Sequence, residues 1–171
     1  MNEEFPKNIY YFAYGSNMLE KQMKARCGEE NYKDFGIGYV EDFELAFTRR
    51  SSNWCSMGVA DLICKKGIKT YGRIYKINEI ARNRLDCCEG FKEKKNKKSK
   101  VNAYYREDEI LIYAKKPRKE IYACCYFAIP QADFIQPSKK YLNTMIEGGK
   151  ECGLPLSAIE DIKRIGRYHT L

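Results

Sequence analysis

The chain has 171 residues, 44% apolar and 13% aromatic, which suits a single domain (1–171) with a core large enough to surround a pocket. No apolar run approaches the roughly 20 residues needed to span a bilayer, and Met1 to Lys7 lacks the basic-then-apolar order of a secretory signal, so a cytoplasmic protein with no membrane partner is expected. The eight cysteines therefore read as reduced thiols, and neither the adjacent pairs Cys87-Cys88 and Cys124-Cys125 nor the lone His169 has the spacing of a zinc site or of a histidine-dependent nucleophile.

Asn8 to Tyr14 reads as a buried aromatic strand, stopped at Gly15-Ser16-Asn17 and followed by a helical pattern from Met18 to Arg26. Asn17 is placed to cap that helix with Glu20 as its capping-box partner, and Gly28 is placed to end it. Backbone N–H groups at such a strand–glycine turn–helix junction suit a carboxylate or a developing oxyanion. Gly36 to Val40, Phe43 to Thr48, Trp54 to Asp61 and Tyr71 to Ile77 follow as short strands. Asn78 caps a helix from Glu79 to about Cys88 that runs out at Glu89-Gly90. After a basic insert at about 91–101, strand character resumes over Tyr104 to Tyr113 and Glu120 to Ile129. Two helices finish the chain: Ser138 caps the first, with Tyr141, Leu142, Met145 and Ile146 on one face, and Pro155 starts the second after Gly153. Strands dominating two thirds of the chain, interrupted and closed by helices, point to an α+β domain: a small mixed β-barrel or strongly curled sheet with flanking helices.

Much of the net charge of +8 sits in Lys92, Lys94, Lys95, Lys97, Lys98 and Lys100. A nucleic-acid patch would carry interleaved aromatics for stacking, and this run has none, so it reads as a solvated loop with no nucleic-acid partner.

Four segments acquire meaning together: Tyr11-Phe12-Ala13-Tyr14-Gly15-Ser16-Asn17-Met18, Leu85-Asp86-Cys87-Cys88-Glu89-Gly90, Tyr104, and Gly149-Lys150-Glu151-Cys152-Gly153-Leu154-Pro155-Leu156. In order and context they resemble the γ-glutamylcyclotransferases, and the resemblance spans almost the whole chain. It implies that Tyr11, Phe12, Ala13, Tyr14, Gly15, Ser16 and Asn17 form the loop gripping the amino and carboxylate ends of a γ-glutamyl group. It implies that Glu89 is the catalytic acid-base, and that Tyr104 and Tyr141 contact substrate. Tyr105 competes with Tyr104 because the insert lengthens the path from Glu89. The expected partner is a small γ-glutamyl substrate, no cofactor is needed, and family members can form homodimers. The closing Gly-Leu-Pro segment looks like the branch that releases 5-oxoproline from γ-glutamyl amino acids. The alternatives are a γ-glutamylamine cyclotransferase, using substrates of the γ-glutamyl-lysine type, and a non-catalytic γ-glutamyl-binding module.

The chemistry such an activity requires is simple. Cyclisation needs a neutral α-amine held close to the δ-carbonyl and a proton for the departing nitrogen. One carboxylate can serve both ends if partial burial raises its proton affinity. Each residue has a plainer reading beside this one. A glutamate at a helix end is most often solvated, Tyr11, Tyr14, Tyr104 and Tyr141 can be packing aromatics, and Cys88 can be a buried inert thiol rather than a nucleophile.

Overall fold

The computed structural model describes residues 9–90 and 104–168; the basic insert and His169 lie outside them. Five strands, β1 (Ile9–Ala13), β2 (Tyr32–Ser51), β3 (Met57–Ile77), β4 (Tyr104–Lys115) and β5 (Arg118–Ala128), close into a barrel in the order β1-β3-β2-β4-β5. The mixed barrel expected from sequence is thus present. A parallel pairing of Tyr11 with Cys124 joins β1 to β5 and completes the closure, while the other ladders are antiparallel. The core is built from fully buried side chains including Phe12, Phe47, Ile74, Tyr75 and Ile112, on both faces of the sheet. No helix among the described residues is long and apolar enough to cross a membrane.

The four short strands expected between residues 36 and 77 are instead one long hairpin, β2 against β3. The break read at 49–53 leads into the hairpin's chain reversal, whereas those at 41–42 and 62–70 fall on one register shift, between Glu41 and Phe43, where Asp42 has φ 62°. Such bulges bend a strand and sharpen its twist, which a small closed barrel needs. Trp54, expected to begin a strand, lies in a single 3-10 turn, Ser52–Trp54, at the tip.

Among the described residues four helices flank the barrel: α1 (Glu20–Cys27), α2 (Glu79–Cys88), α3 (Lys139–Cys152) and α4 (Leu156–Ile165). Three of their boundaries follow local chemistry. Asn78 accepts from the Ala81 N–H at 2.9 Å and Ser138 from the Tyr141 N–H at 3.0 Å, and Pro155 immediately precedes α4. The start of α1 departs from expectation. Asn17 is buried in a 3-10 turn (Ser16–Met18), Leu19 occupies the cap position, and the Glu20 N–H is met at 2.9 Å by Oε1 of Glu151, a carboxylate from α3. A distant anion at the positive end of α1 replaces the local cap and frees the Asn17 side chain for the cavity.

Candidate active site

The 3-10 turn after β1 is fixed from several sides. Met18 N–H donates to the Gly15 carbonyl at 3.1 Å, the Tyr75 hydroxyl donates to the Asn17 carbonyl at 2.8 Å, and Arg73 Nη1 donates to the Met18 carbonyl at 3.0 Å. Arg73 is itself buried and tied to Asp34 and Glu151 at 2.7 Å each. On the outer side α3 presses directly on the turn: a Cβ on Gly148 would stand 2.3 Å from Leu19 N and 2.6 Å from the Met18 carbonyl carbon. Only a residue without a side chain permits that approach.

Beside this turn opens a cavity of about 540 Å³, within the size range of small-molecule sites. Tyr11, Phe12, Tyr14, Gly15, Ser16, Asn17, Glu89, Tyr104 and Tyr141 all line it, so nine of the ten residues expected from sequence meet in one place. Ala13 does not line it. Ala13 is the last residue of β1, paired with Arg73 in the ladder, and its methyl is spent in the core. Tyr104 rather than Tyr105 faces inward, since Tyr105 is 43% exposed and stacks on Phe127.

Glu89 caps the C-terminus of α2, its N–H donating to the Leu85 carbonyl at 2.8 Å. The helix is anchored by buried Ala81 and Leu85 and by Asp86, which accepts from the Tyr126 hydroxyl at 2.6 Å and is also bonded by Arg106. The Glu89 carbonyl accepts from Tyr104 N–H at 3.2 Å, so the chain leaves and re-enters at one point. The length of the intervening insert therefore has little leverage over where either residue sits. The Glu89 side chain is 17% exposed, and Oε1 lies 3.3 Å from Arg26 Nη1. Burial raises its carboxyl above the usual value, with Arg26 pulling the other way. Its place at a helix C-terminus, where carbonyl dipoles oppose negative charge, adds in the same direction as burial.

Arg26 was not signalled by any local pattern, yet it organises this wall. The same Nη1 donates to Asn17 Oδ1 at 3.0 Å, and Asn17 Nδ2 donates to the Tyr11 hydroxyl at 2.9 Å, giving a continuous chain Tyr11–Asn17–Arg26–Glu89. Elsewhere in the lining the backbone of one residue, Ala60, is held by two tyrosines: its carbonyl accepts from Tyr104 at 2.9 Å and its N–H donates to Tyr141 at 3.0 Å. Trp54 packs edge-on against the Tyr141 ring, centroids 4.8 Å apart.

Counting hydroxyl protons separates the five cavity tyrosines, of which Tyr126 donates to Asp86. Tyr14 donates to the Tyr126 carbonyl and Tyr104 to the Ala60 carbonyl, so both protons are committed to the scaffold. Tyr11 and Tyr141 are acceptors in their protein bonds, Tyr11 from Asn17 Nδ2 and Tyr141 from the Ala60 N–H, which leaves each free to donate into the cavity. Burial pushes the Tyr141 hydroxyl up to about 12 and that of Tyr11 well above its ordinary value, so both stay protonated at neutral pH. Gly15 sits so close to this group that a Cβ there would be 3.0 Å from the Tyr141 hydroxyl. Cys88 lines the cavity, but burial raises its thiol, which disfavours the nucleophilic thiolate. All eight cysteines are free, and no group of three or more metal-binding side chains occurs among the described residues.

The geometry can therefore hold a small, charged ligand between hydrogen-bond donors and one protonatable carboxylate. The chain is similar to several known proteins. The human protein named gamma-glutamylcyclotransferase is 29% identical over 163 residues, covering 93% of this chain and 79% of its own. The bovine protein of the same name is 27% identical over 154 residues, covering 88% of this chain and 74% of its own. A solved structure titled gamma-glutamyl cyclotransferase superposes with a TM-score of 0.77 at 28% identity, covering 92% of this chain and 87% of that one. The model of the AIG2-like family matches residues 69–162, from the middle of β3 through most of α4, and the chain belongs to that family.

Proposed function

We propose that this protein is a γ-glutamylcyclotransferase that converts γ-glutamyl amino acids to 5-oxoproline and a free amino acid, with Glu89 moving the protons. The observation that carries this reading is the Glu89 carboxyl, kept protonatable by burial on the wall of a cavity that also contains the Gly15 turn. The named relatives, aligned over most of the chain, support the reaction class.

Glu89 takes a proton from the substrate's α-ammonium, and the neutral amine attacks the δ-carbonyl carbon. A ring C–N bond forms, and the carbonyl π pair moves onto oxygen. The Tyr141 hydroxyl, held by the Ala60 N–H, is a preorganised donor to that oxyanion. The Tyr11–Asn17–Arg26 chain supplies donors and positive charge for the α-carboxylate. As the carbonyl re-forms, the original C–N bond breaks and Glu89 gives its proton to the departing nitrogen. The second proton shed by the ring nitrogen follows, so the amino acid leaves as an ammonium. Holding the flexible glutamyl chain in a curled pose removes rotational freedom before the barrier is climbed.

Eight free thiols suit a reducing cytoplasm, where we place the reaction. The test is incubation with γ-glutamyl-alanine, γ-glutamyl-lysine and glutathione, with 5-oxoproline measured by chromatography. Release from γ-glutamyl-alanine is expected, and no 5-oxoproline from any of the three would overturn the proposal.

A further inference from the structure

Among the described residues three arginines, Arg26, Arg49 and Arg50, line the cavity, against the single carboxylate of Glu89. Two of them have charged company. Arg26 bonds Glu89 and Asn17, and Arg49 is buried, donates to the Ile129 carbonyl at 2.9 Å and bears electrostatically on the buried carboxyl of Asp61. Arg50 is different: it is exposed at the rim, and no carboxylate lies within ion-pair distance of it among the described residues. Its backbone N–H is held by Gln131 Oε1 at 2.8 Å and its Nη1 by the Ser56 carbonyl at 3.0 Å. Gln131 and Ser56 line the same cavity, so the guanidinium is positioned there with donors to spare.

Resting on the cyclotransferase reading, we propose that Arg50 is a specificity-determining residue that binds the α-carboxylate of the departing amino acid. The placement follows from the β2–β3 ladder. Ala60, clasped by Tyr104 and Tyr141 beside Gly15, marks the reacting centre, and Arg50 pairs with Gly58, two residues along β3. Two residues of strand are roughly 7 Å. In a γ-glutamyl amino acid the leaving-group carboxylate lies about 4 Å from the δ-carbon, a gap that the arginine side chain can bridge. In a substrate linked through a lysine side chain the carboxylate is several methylenes further away, and in a simple amine it is missing. Arg50 therefore favours α-linked amino-acid leaving groups over amines. The glutamyl half, with its one carboxylate and one ammonium, is accounted for at the turn and Glu89, which leaves this second cation for a second anion.

The experiment compares kcat/KM for γ-glutamyl-alanine and γ-glutamyl-alaninamide, identical but for the carboxylate, in the wild-type chain and in Arg50→Gln. The wild type is expected to favour the carboxylate substrate by about 10-fold or more, the scale of one charge-assisted contact, mainly through KM. Raising the salt concentration should erode the preference. In Arg50→Gln the ratio should fall below about 3, and circular dichroism should report an unchanged fold because Arg50 is on the rim. Equal wild-type efficiency on the two substrates, or a ratio unchanged by the substitution, overturns the role of Arg50 while leaving the cyclotransferase reading intact. No 5-oxoproline from either substrate overturns both.

Discussion

Replacing Glu89 by Gln keeps the shape of the side chain and removes only its ability to carry a proton. The effect on stability should be small. The Arg26–Glu89 contact is 3.3 Å long with both side chains partly open to solvent, and Arg26 retains its bond to Asn17. Glutamine can still accept from Arg26, so the change exchanges a charge-assisted hydrogen bond for a neutral one, about 1 kcal/mol, and Tm should move by about 2–4 °C. The effect on turnover should be large, because one group serves both as base for the attacking nitrogen and as acid for the leaving nitrogen. General acid–base catalysis supplies about 10²–10⁴-fold, and loss of both roles puts the fall in kcat near the upper part of that range, about 4–5.5 kcal/mol of barrier. The pH dependence has a defined sign. The Glu89 carboxyl is raised by burial, so the basic form accumulates only above that raised value, and kcat/KM should climb through it from the acid side. For folding, the same raised value means that the native state holds the proton more tightly than the unfolded chain. That contribution is fully present below the unfolded carboxyl value and is lost as pH rises through the folded one, a slope that Glu89→Gln should remove. Steady-state 5-oxoproline release across pH, paired with thermal melts, measures all of this. A Glu89→Gln protein retaining more than about a tenth of the wild-type rate would refute the proton-carrier role.

Arg26→Met should shift the acid limb of the kcat/KM profile to higher pH, because it deletes the one group that lowers the Glu89 carboxyl; a limb that stays in place would separate Arg26 from Glu89. Tyr141→Phe removes a cavity-facing donor and strands the buried Ala60 N–H, so kcat should fall by about 100-fold and stability by about 1–3 kcal/mol, read by kinetics and urea titration. Tyr104→Phe provides the contrast: its hydroxyl proton is spent on the Ala60 carbonyl, and its loss should affect kcat by less than a tenth as much. Gly148→Ala drives a methyl into the backbone at Met18 and Leu19, an overpacking that should cost about 1–3 kcal/mol in a denaturant melt and lower activity by displacing the turn.

The elements that sequence placed well are those whose causes are local. Asn78 and Ser138 cap their helices through side chains three residues from the N–H they accept, and the buried face of α3 follows from Tyr141, Leu142, Met145 and Ile146 at helical spacing. The start of α1 was misread because its cap, Glu151, lies 131 residues away and no local rule reaches it. Tyr104 and Tyr105 alternate on a strand, so their assignment waits on the register of β4 against β5, where Tyr104 meets Ala128 and Tyr105 meets Phe127. Arg26 ends an unremarkable helical pattern, and its importance arises only when Asn17 and Glu89 are brought to it from two other elements.

From its residues alone, this chain determined an α+β domain, the strand–glycine turn–helix junction at Gly15, and a glutamate ending a helix at position 89, because each depends on neighbours within a few positions. Tertiary structure alone decided that the strands between 36 and 77 are one bent hairpin, which tyrosine hydroxyls remain free, and that Arg26 and Arg50 face the same cavity. Those outcomes depend on barrel closure, which sets register and burial together, and burial is what raises the proton affinity of Glu89.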